Sequence, residues 1–134
     1  MSFNGEILFQ IVDKQEFFDR ASKDLGFEPT KTISSKKASV LGRTSEQNIW
    51  LYKVAYIDEH DLIAKAEGVV DLLLSRKEVI IGLAKMFERV ELVLNIRSDL
   101  GQIGFYLPSS LMAKLSALGL NVGVDIISFG MASD

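Results

Sequence analysis

The alternation of apolar and polar residues along the chain predicts several strands. Glu6–Val12 has apolar residues at its odd-numbered positions, as expected for a strand with one well-buried face. Asn48–Tyr56, which is rich in aromatic residues, and Val90–Arg97 alternate in the same way. Asn121–Phe129 has apolar even-numbered residues near its start and predicts a last strand. Each of these segments therefore has one side that faces a core.

A hairpin is predicted after the third of these strands. Residues 98–101, with the sequence Ser-Asp-Leu-Gly, have turn chemistry, and Gln102–Leu107 alternates again as the returning strand. By contrast, Glu28–Gln47 has no sustained periodicity, and Ala38–Leu41 is its best candidate for a short strand. The hairpin predicts that the neighbouring strands run antiparallel.

A different periodicity organises the middle of the chain. Across Asp58–Val90, apolar residues recur every three to four positions, which predicts amphipathic helices. Asp58 is a suitable N-cap, and Ser75 with Glu78 has the spacing of a capping box, so two helices are expected with a turn at Ser75.

Two shorter helices are predicted on either side of this block. Asp13 and Glu16 form a second capping box that opens a helix through about Leu25, and Gly26 ends it. Another helix follows Pro108 and ends at Gly119. The predicted order is β-α-β-α-α-β-β-α-β in one domain, residues 1–134. We expect an α+β fold, a mostly antiparallel sheet of about five strands with helices packed on one face.

Composition and charge narrow the classes of function. The net charge of −3 argues against a protein dedicated to nucleic acid, because phosphates demand clustered Lys and Arg. There is no cysteine for disulfides or thiolate zinc sites. No apolar stretch is long enough to span a bilayer, and the N-terminus lacks the pattern of a secretory signal. The sequence predicts a cytoplasmic protein without a membrane segment.

Few single residues are candidates for catalysis or metal binding. His60 is the only histidine, and it lies among Asp58, Glu59 and Asp61, where helix capping explains the same residues better than a metal site. No nucleophile elbow, phosphate loop or dinucleotide fingerprint is present. The sequence thus predicts no catalytic residue, no cofactor and no metal.

Three further groups have both a functional and a structural interpretation. Asp125 lies among apolar residues, with Arg97 as an ion-pair partner or Glu91 as a second acid in a catalytic pair. Lys36, Lys37 and Arg43 can contact phosphate, although a solvated loop explains them better. Trp50, Tyr52 and Tyr56 can form a stacking surface, although alternation along a strand favours the core.

The outward side of the sheet is the best candidate for a partner-binding surface. The alternations place polar side chains of several strands on this side, with an aromatic residue at its border. Arg and Tyr are favoured anchors in protein interfaces. The candidate partner-binding residues are Gln10, Lys53, Glu91, Asn95, Arg97, Tyr106 and Asp125.

The order of these features resembles the small bacterial family catalogued as domain of unknown function 4279. The features are the first strand and helix, the helix end at residues 25–30 (Leu-Gly-Phe-Glu-Pro-Thr), Gly42 and Trp50, the helical pair, the Val90–Leu107 hairpin, and the terminal Leu118-Gly119-Leu120 and Val124-Asp125-Ile126. The resemblance covers nearly the whole chain and implies an α+β fold with no known catalytic machinery. It also implies similarity to proteins found beside bacterial toxin systems, including immunity proteins that bind and neutralise a toxin.

Two classes of function follow. The first is a non-enzymatic protein-binding domain, including an immunity protein whose acidic charge suits a basic toxin. The alternative is a small ligand-binding or hydrolytic domain using carboxylates that folding brings together, such as Asp125 with Glu91. Self-assembly into a homo-oligomer, through Leu72 or through the strand edges, is compatible with either class of function.

Overall fold

The computed structural model describes residues 3–35 and 47–131 of the 134-residue chain. The predicted strand Ala38–Leu41 and the basic residues Lys36, Lys37 and Arg43 lie outside the described residues. The elements within them are β1 (Asn4–Asp13), α1 (Phe18–Leu25), β2 (Lys31–Ile33), β3 (Asn48–Tyr56), α2 (Glu59–Leu74), α3 (Lys77–Met86), β4 (Arg89–Leu100), α4 (Ser109–Leu118) and β5 (Asn121–Met131).

The five described strands form one mixed sheet in the order β2-β3-β1-β4-β5. β1 pairs antiparallel with both β3 and β4, and β2 pairs antiparallel with β3. β5 alone runs parallel to its neighbour β4, because α4 carries the chain back before β5 begins. The sheet is mostly antiparallel, and the predicted α+β class is confirmed.

One hydrophobic core joins the sheet to all four described helices. Ile7, Phe9 and Ile11 of β1 are fully buried, and on β4 Leu92 and Leu94 bury in register with Phe9 and Ile7. The helices contribute their apolar stripes to the same cluster, which confirms the prediction that they pack on one face of the sheet. These helix residues are Ala21, Leu25, Leu62, Ala66, Val69, Val70, Leu73, Ile80, Leu83, Leu111, Leu115 and Leu118.

Several helix ends follow the sequence signals. The carboxylate of Asp58 accepts a hydrogen bond of 2.8 Å from the Asp61 amide, which confirms the predicted N-cap of α2. Gly26 and Gly119 have φ angles of 79° and 69°, the left-handed conformation that a helix-ending glycine provides. The chain also breaks between α2 and α3 at Ser75, as predicted.

Two predicted capping boxes are wrong in detail. The Ser75 hydroxyl donates to the Leu72 carbonyl at 2.5 Å, and Arg76 precedes α3 without a side-chain cap. Asp13 accepts from the amides of Gln15 (3.2 Å) and Glu88 (3.1 Å) instead of capping α1, which begins only at Phe18. In both cases a short polar side chain satisfies other backbone groups close to it in the fold.

The predicted hairpin is also wrong. β4 continues to Leu100, and Gln102–Leu107 forms no strand in the described sheet. Ile103, Phe105 and Leu107 do pack against the core, so the alternation is real. A period of two shows that an extended chain buries one side, whereas pairing also needs a free neighbouring strand. The described sheet gains β2, a three-residue strand that the sequence pattern did not reveal.

Candidate functional site

The sheet face opposite the helices, here called the outer face, carries six of the seven predicted partner-binding residues. The strand register aligns these side chains in rows across the sheet. Gln10 lies opposite Glu91, and Asn95 lies between Glu6 and Asp125. The remaining two are in the neighbouring rows, since Lys53 lies opposite Leu8, and Arg97 opposite Asn4. Alternation along four strands therefore brings together residues that are far apart in the sequence.

Glu6 is the centre of the charge arrangement on the outer face. Its two carboxylate oxygens lie 3.6 Å from Lys53 Nζ and 3.7 Å from Arg97 Nη1. Arg97 Nε also donates to Asn4 Oδ1 at 3.4 Å. Because these groups remain in contact with solvent, each pair contributes only about 0.2–1 kcal/mol. The two pairs therefore stabilise the fold little.

Glu6 was missed as a site residue, although the same alternation locates it. It is the first residue of the first predicted strand, and its side chain points to the same side of the sheet as that of Gln10. Arg89 was missed as well, and its Nε lies 3.4 Å from Glu91 Oε1. The outer face thus has a second ion pair at the end of the sheet away from Glu6.

The proposed pairing of Asp125 with another acid does not occur. Asp125 is exposed and lies in register with Asn95, whereas Glu91 lies in register with Asn121. Four positions along a strand separate the two carboxylate-bearing residues, or about 13 Å. The expected partner Arg97 makes its ion pair with Glu6 instead. The alternative function, a small ligand-binding or hydrolytic domain, therefore lacks the predicted carboxylate pair of Asp125 and Glu91.

Apolar residues interrupt the polar rows of the outer face. Leu8 and Val93 face each other in the row between Asn95 and Glu91, and both are half-buried. Towards β2, Val12 and Leu51 are buried. Leu8 and Val93 therefore supply the half-buried apolar surface between the charged side chains, whereas Val12 and Leu51 are covered.

Tyr106 lies apart from the other six predicted residues. It is 88% exposed and belongs to the extended segment between β4 and α4. Its backbone amide donates to Glu59 Oε1 at 3.3 Å, which places it beside the start of α2 in the helix layer. The predicted position of Tyr106 on the sheet is wrong, because Gln102–Leu107 is not a strand of the described sheet.

The aromatic residues of β3 belong mainly to the core. Trp50 is fully buried and donates from Nε1 to Ser22 Oγ at 3.1 Å. Tyr56 is buried too, and its hydroxyl donates to the Asn95 carbonyl at 2.7 Å. Burial raises the pKa of Tyr56 to about 12, partly opposed by the charge of Arg97. The structural interpretation of these residues fits their surroundings better than a stacking surface.

A cavity of about 240 Å³ lies in the helix layer between α1 and α3. It is smaller than the roughly 300–1,000 Å³ of typical ligand sites. Asp24, one of its two acids, forms an ion pair of 3.6 Å with Arg20. The cavity is lined by Asp24, Glu78, Val79, Gly82, Leu83 and Met86.

His60 is exposed on the first turn of α2. The described parts of the chain contain no group of three or more His, Cys, Asp or Glu residues arranged to hold a metal ion. Of the helices in residues 3–35 and 47–131, none has the length and apolarity needed to cross a membrane.

Comparisons with family models, with curated proteins and with solved structures found no match. The resemblance to domain of unknown function 4279 therefore stays a prediction, and functional inference depends on the geometry of the chain itself.

Proposed function

We propose that this chain is a non-enzymatic protein-binding domain and that the outer face of its sheet contacts the partner. The observation that carries the proposal is the convergence of Gln10, Lys53, Glu91, Asn95, Arg97 and Asp125 on one face. The half-buried Leu8 and Val93 lie among them, so the face offers a partner both charged contacts and apolar surface.

The charges of the outer face favour a partner of defined electrostatic pattern. Glu6 lies close to both Lys53 and Arg97, so the face presents a carboxylate between two cations. The overall charge of −3 would attract a basic protein, and a basic toxin neutralised in the cytoplasm is our proposed partner. The family resemblance is the second argument for this immunity role.

The alternative, a small ligand-binding or hydrolytic domain, has weaker support. Asp125 and Glu91 lie too far apart along the sheet to act on one substrate atom. The cavity between α1 and α3 is small, and its acid Asp24 is already paired with Arg20.

Affinity capture with the tagged protein from its native lysate tests the proposal. We expect one stoichiometric protein partner. The added negative charge of Arg97→Glu would by itself favour a basic partner, so the loss of retention that we expect, about tenfold or more, would come from the loss of the specific contacts of the guanidinium. Lys65→Glu is the matched control, since Lys65 is an exposed cation on α2 in the helix layer. A partner retained equally by both variants would contradict the role of the outer face.

Tyr106→Ala distinguishes binding at the outer face from binding at the helix layer. Because Tyr106 lies beside α2, its loss leaves the outer face intact, and we expect normal capture of the partner. Loss of capture in Tyr106→Ala with normal capture in Arg97→Glu would move the binding site to the helix layer.

A further inference from the structure

The two edges of the described sheet differ in how they are protected. β2 has three residues and includes Lys31, and a short edge with a lysine resists pairing with another chain. β5 has eleven residues, contains no Lys, Arg or Pro, and carries Asp125 as its single charge. Within the described residues β5 is the last strand, so its outer edge faces no neighbouring strand. Such an edge is a template for strand addition.

The side chains of β5 are exposed where their neighbours on β4 are buried. Val122, Val124 and Ile126 lie in register with Leu92, Leu94 and Ile96, which are at most 3% exposed. On β5 the corresponding exposures are 37%, 49% and 49%, and Ile127 on the outer face reaches 54%. The core layer therefore ends in an uncovered apolar row.

α4 carries a further exposed apolar side chain. Lys114 bonds with Glu67 and Asp71 of α2, at 3.1 and 2.9 Å. Met112, two positions earlier, points about 200° away around the helix and is 55% exposed. We name the exposed apolar side chains of β5 the β5 edge patch; Val122, Val124 and Ile126 lie on the helix side of the sheet and Ile127 on the outer face.

We propose that β5 pairs antiparallel with β5 of a second copy of this chain, about a two-fold axis at Val124. In this register Val124 faces its own counterpart and Val122 faces Ile126 of the second copy. Asp125 faces Gly123 of the second copy. Two five-stranded sheets then become one continuous sheet, with both helix layers on the same side.

Self-complementarity is the reason for choosing a second copy as the occupant. A two-fold interface needs a surface that matches itself in reverse, and Val122-Val124-Ile126 reads as branched aliphatic residues in both directions. An axis one residue later would oppose the two Asp125 carboxylates directly, whereas in this register they are diagonal neighbours about 7–8 Å apart. The seven paired residues 121–127 span about 24 Å.

Sedimentation velocity from low micromolar to sub-millimolar concentration tests the dimer. We expect the mass to rise from 14.9 kDa towards twice that value. Val124→Lys places two ammonium groups at the axis and should leave a monomer at every concentration. Ile57→Lys is the matched control, because Ile57 is 75% exposed and lies outside the sheet edges, and it should dimerise normally.

Cysteine cross-linking tests the register with milder substitutions. The natural chain has no cysteine, so each variant offers one thiol. Under oxidation Val124→Cys should form a covalent dimer, whereas the two Asn121→Cys thiols lie about 20 Å apart and should not. A wild type that is monomeric at all concentrations, or a dimer that survives Val124→Lys, would overturn the proposal. Equal cross-linking at both positions would overturn the register.

Discussion

At Gly5, strands β1 and β4 approach so closely that a side chain would not fit. A Cβ atom at this position would collide with the carbonyl oxygen of Asn95 and would lie 2.7 Å from the Tyr56 hydroxyl. We expect Gly5→Ala to lower the free energy of unfolding by about 3 kcal/mol, because backbone atoms of β1 and β4 must separate.

The control for this change is Gly68→Ala on α2, where an added Cβ meets no atom within 4 Å. Alanine favours the helix, so a gain of about 0.5–1 kcal/mol is expected there. Urea denaturation of both variants gives the comparison, and a Gly5→Ala protein as stable as the wild type would contradict the predicted collision.

Tyr56 should make stability depend on alkaline pH. Its pKa is raised to about 12 in the folded chain by burial, while an unfolded tyrosine titrates near about 10. The stabilisation is complete below about pH 10 and is lost as the pH rises towards 12, because the unfolded chain ionises first. The difference amounts to about 2–3 kcal/mol once both states are ionised, and about half of it is lost by roughly pH 11.

Unfolding free energies measured at roughly pH 9 and pH 11 test this expectation. In Tyr56→Phe the decrease in unfolding free energy between these two pH values should be smaller by the contribution of the Tyr56 phenol. Equal losses in the variant and the wild type would show that other groups cause them.

Single residues on the outer face were predictable because alternation alone decides which side of a strand they occupy. Gln10, Lys53 and Arg97 needed no knowledge of pairing to be assigned to the same side. Their contacts were not predictable in this way: Arg97 pairs with Glu6, which is 91 positions away, and not with Asp125. The choice between these partners depends on strand order, which one-dimensional patterns do not contain.

At the level of elements, one arginine joins three helices. Arg76 lies in the turn between α2 and α3, and its Nε donates to the carbonyl of Leu25, the last residue of α1, at 2.7 Å. We expect Arg76→Met to cost about 1–2 kcal/mol, because a carbonyl at the end of a helix loses its partner. Lys77→Met, one position later on the exposed start of α3, should change the stability little in the same denaturation experiment.

The ends of elements were predicted well where one residue suffices to define them. Asp58, Gly26 and Gly119 act through their own side chain or backbone conformation, and their roles are confirmed. Ser75 and Asp13 had equally good motifs, yet nearby carbonyl and amide groups compete for their oxygens. β2 was missed because three residues are too few to show a period.

At the scale of the whole molecule, the shared core predicts a single unfolding transition. Trp50 is the only tryptophan, and its ring contacts Phe9 of β1 and Phe27 after α1, with centroids 6.0 and 5.7 Å away. Its fluorescence should therefore change at the same urea concentration as the far-ultraviolet circular dichroism of the helices. Separate midpoints for the two signals would show that the helices and the sheet unfold independently.

The order of strands has a consequence for how the chain folds during its synthesis. β1 emerges from the ribosome first, yet it lies in the middle of the described sheet, between β3 and β4. Its neighbour β4 begins at Arg89, and Asn4 finally lies opposite Arg97. Until β4 has been made, β1 keeps one edge without its partner strand. A nascent chain of this kind folds slowly and depends on protection from aggregation until β4 arrives.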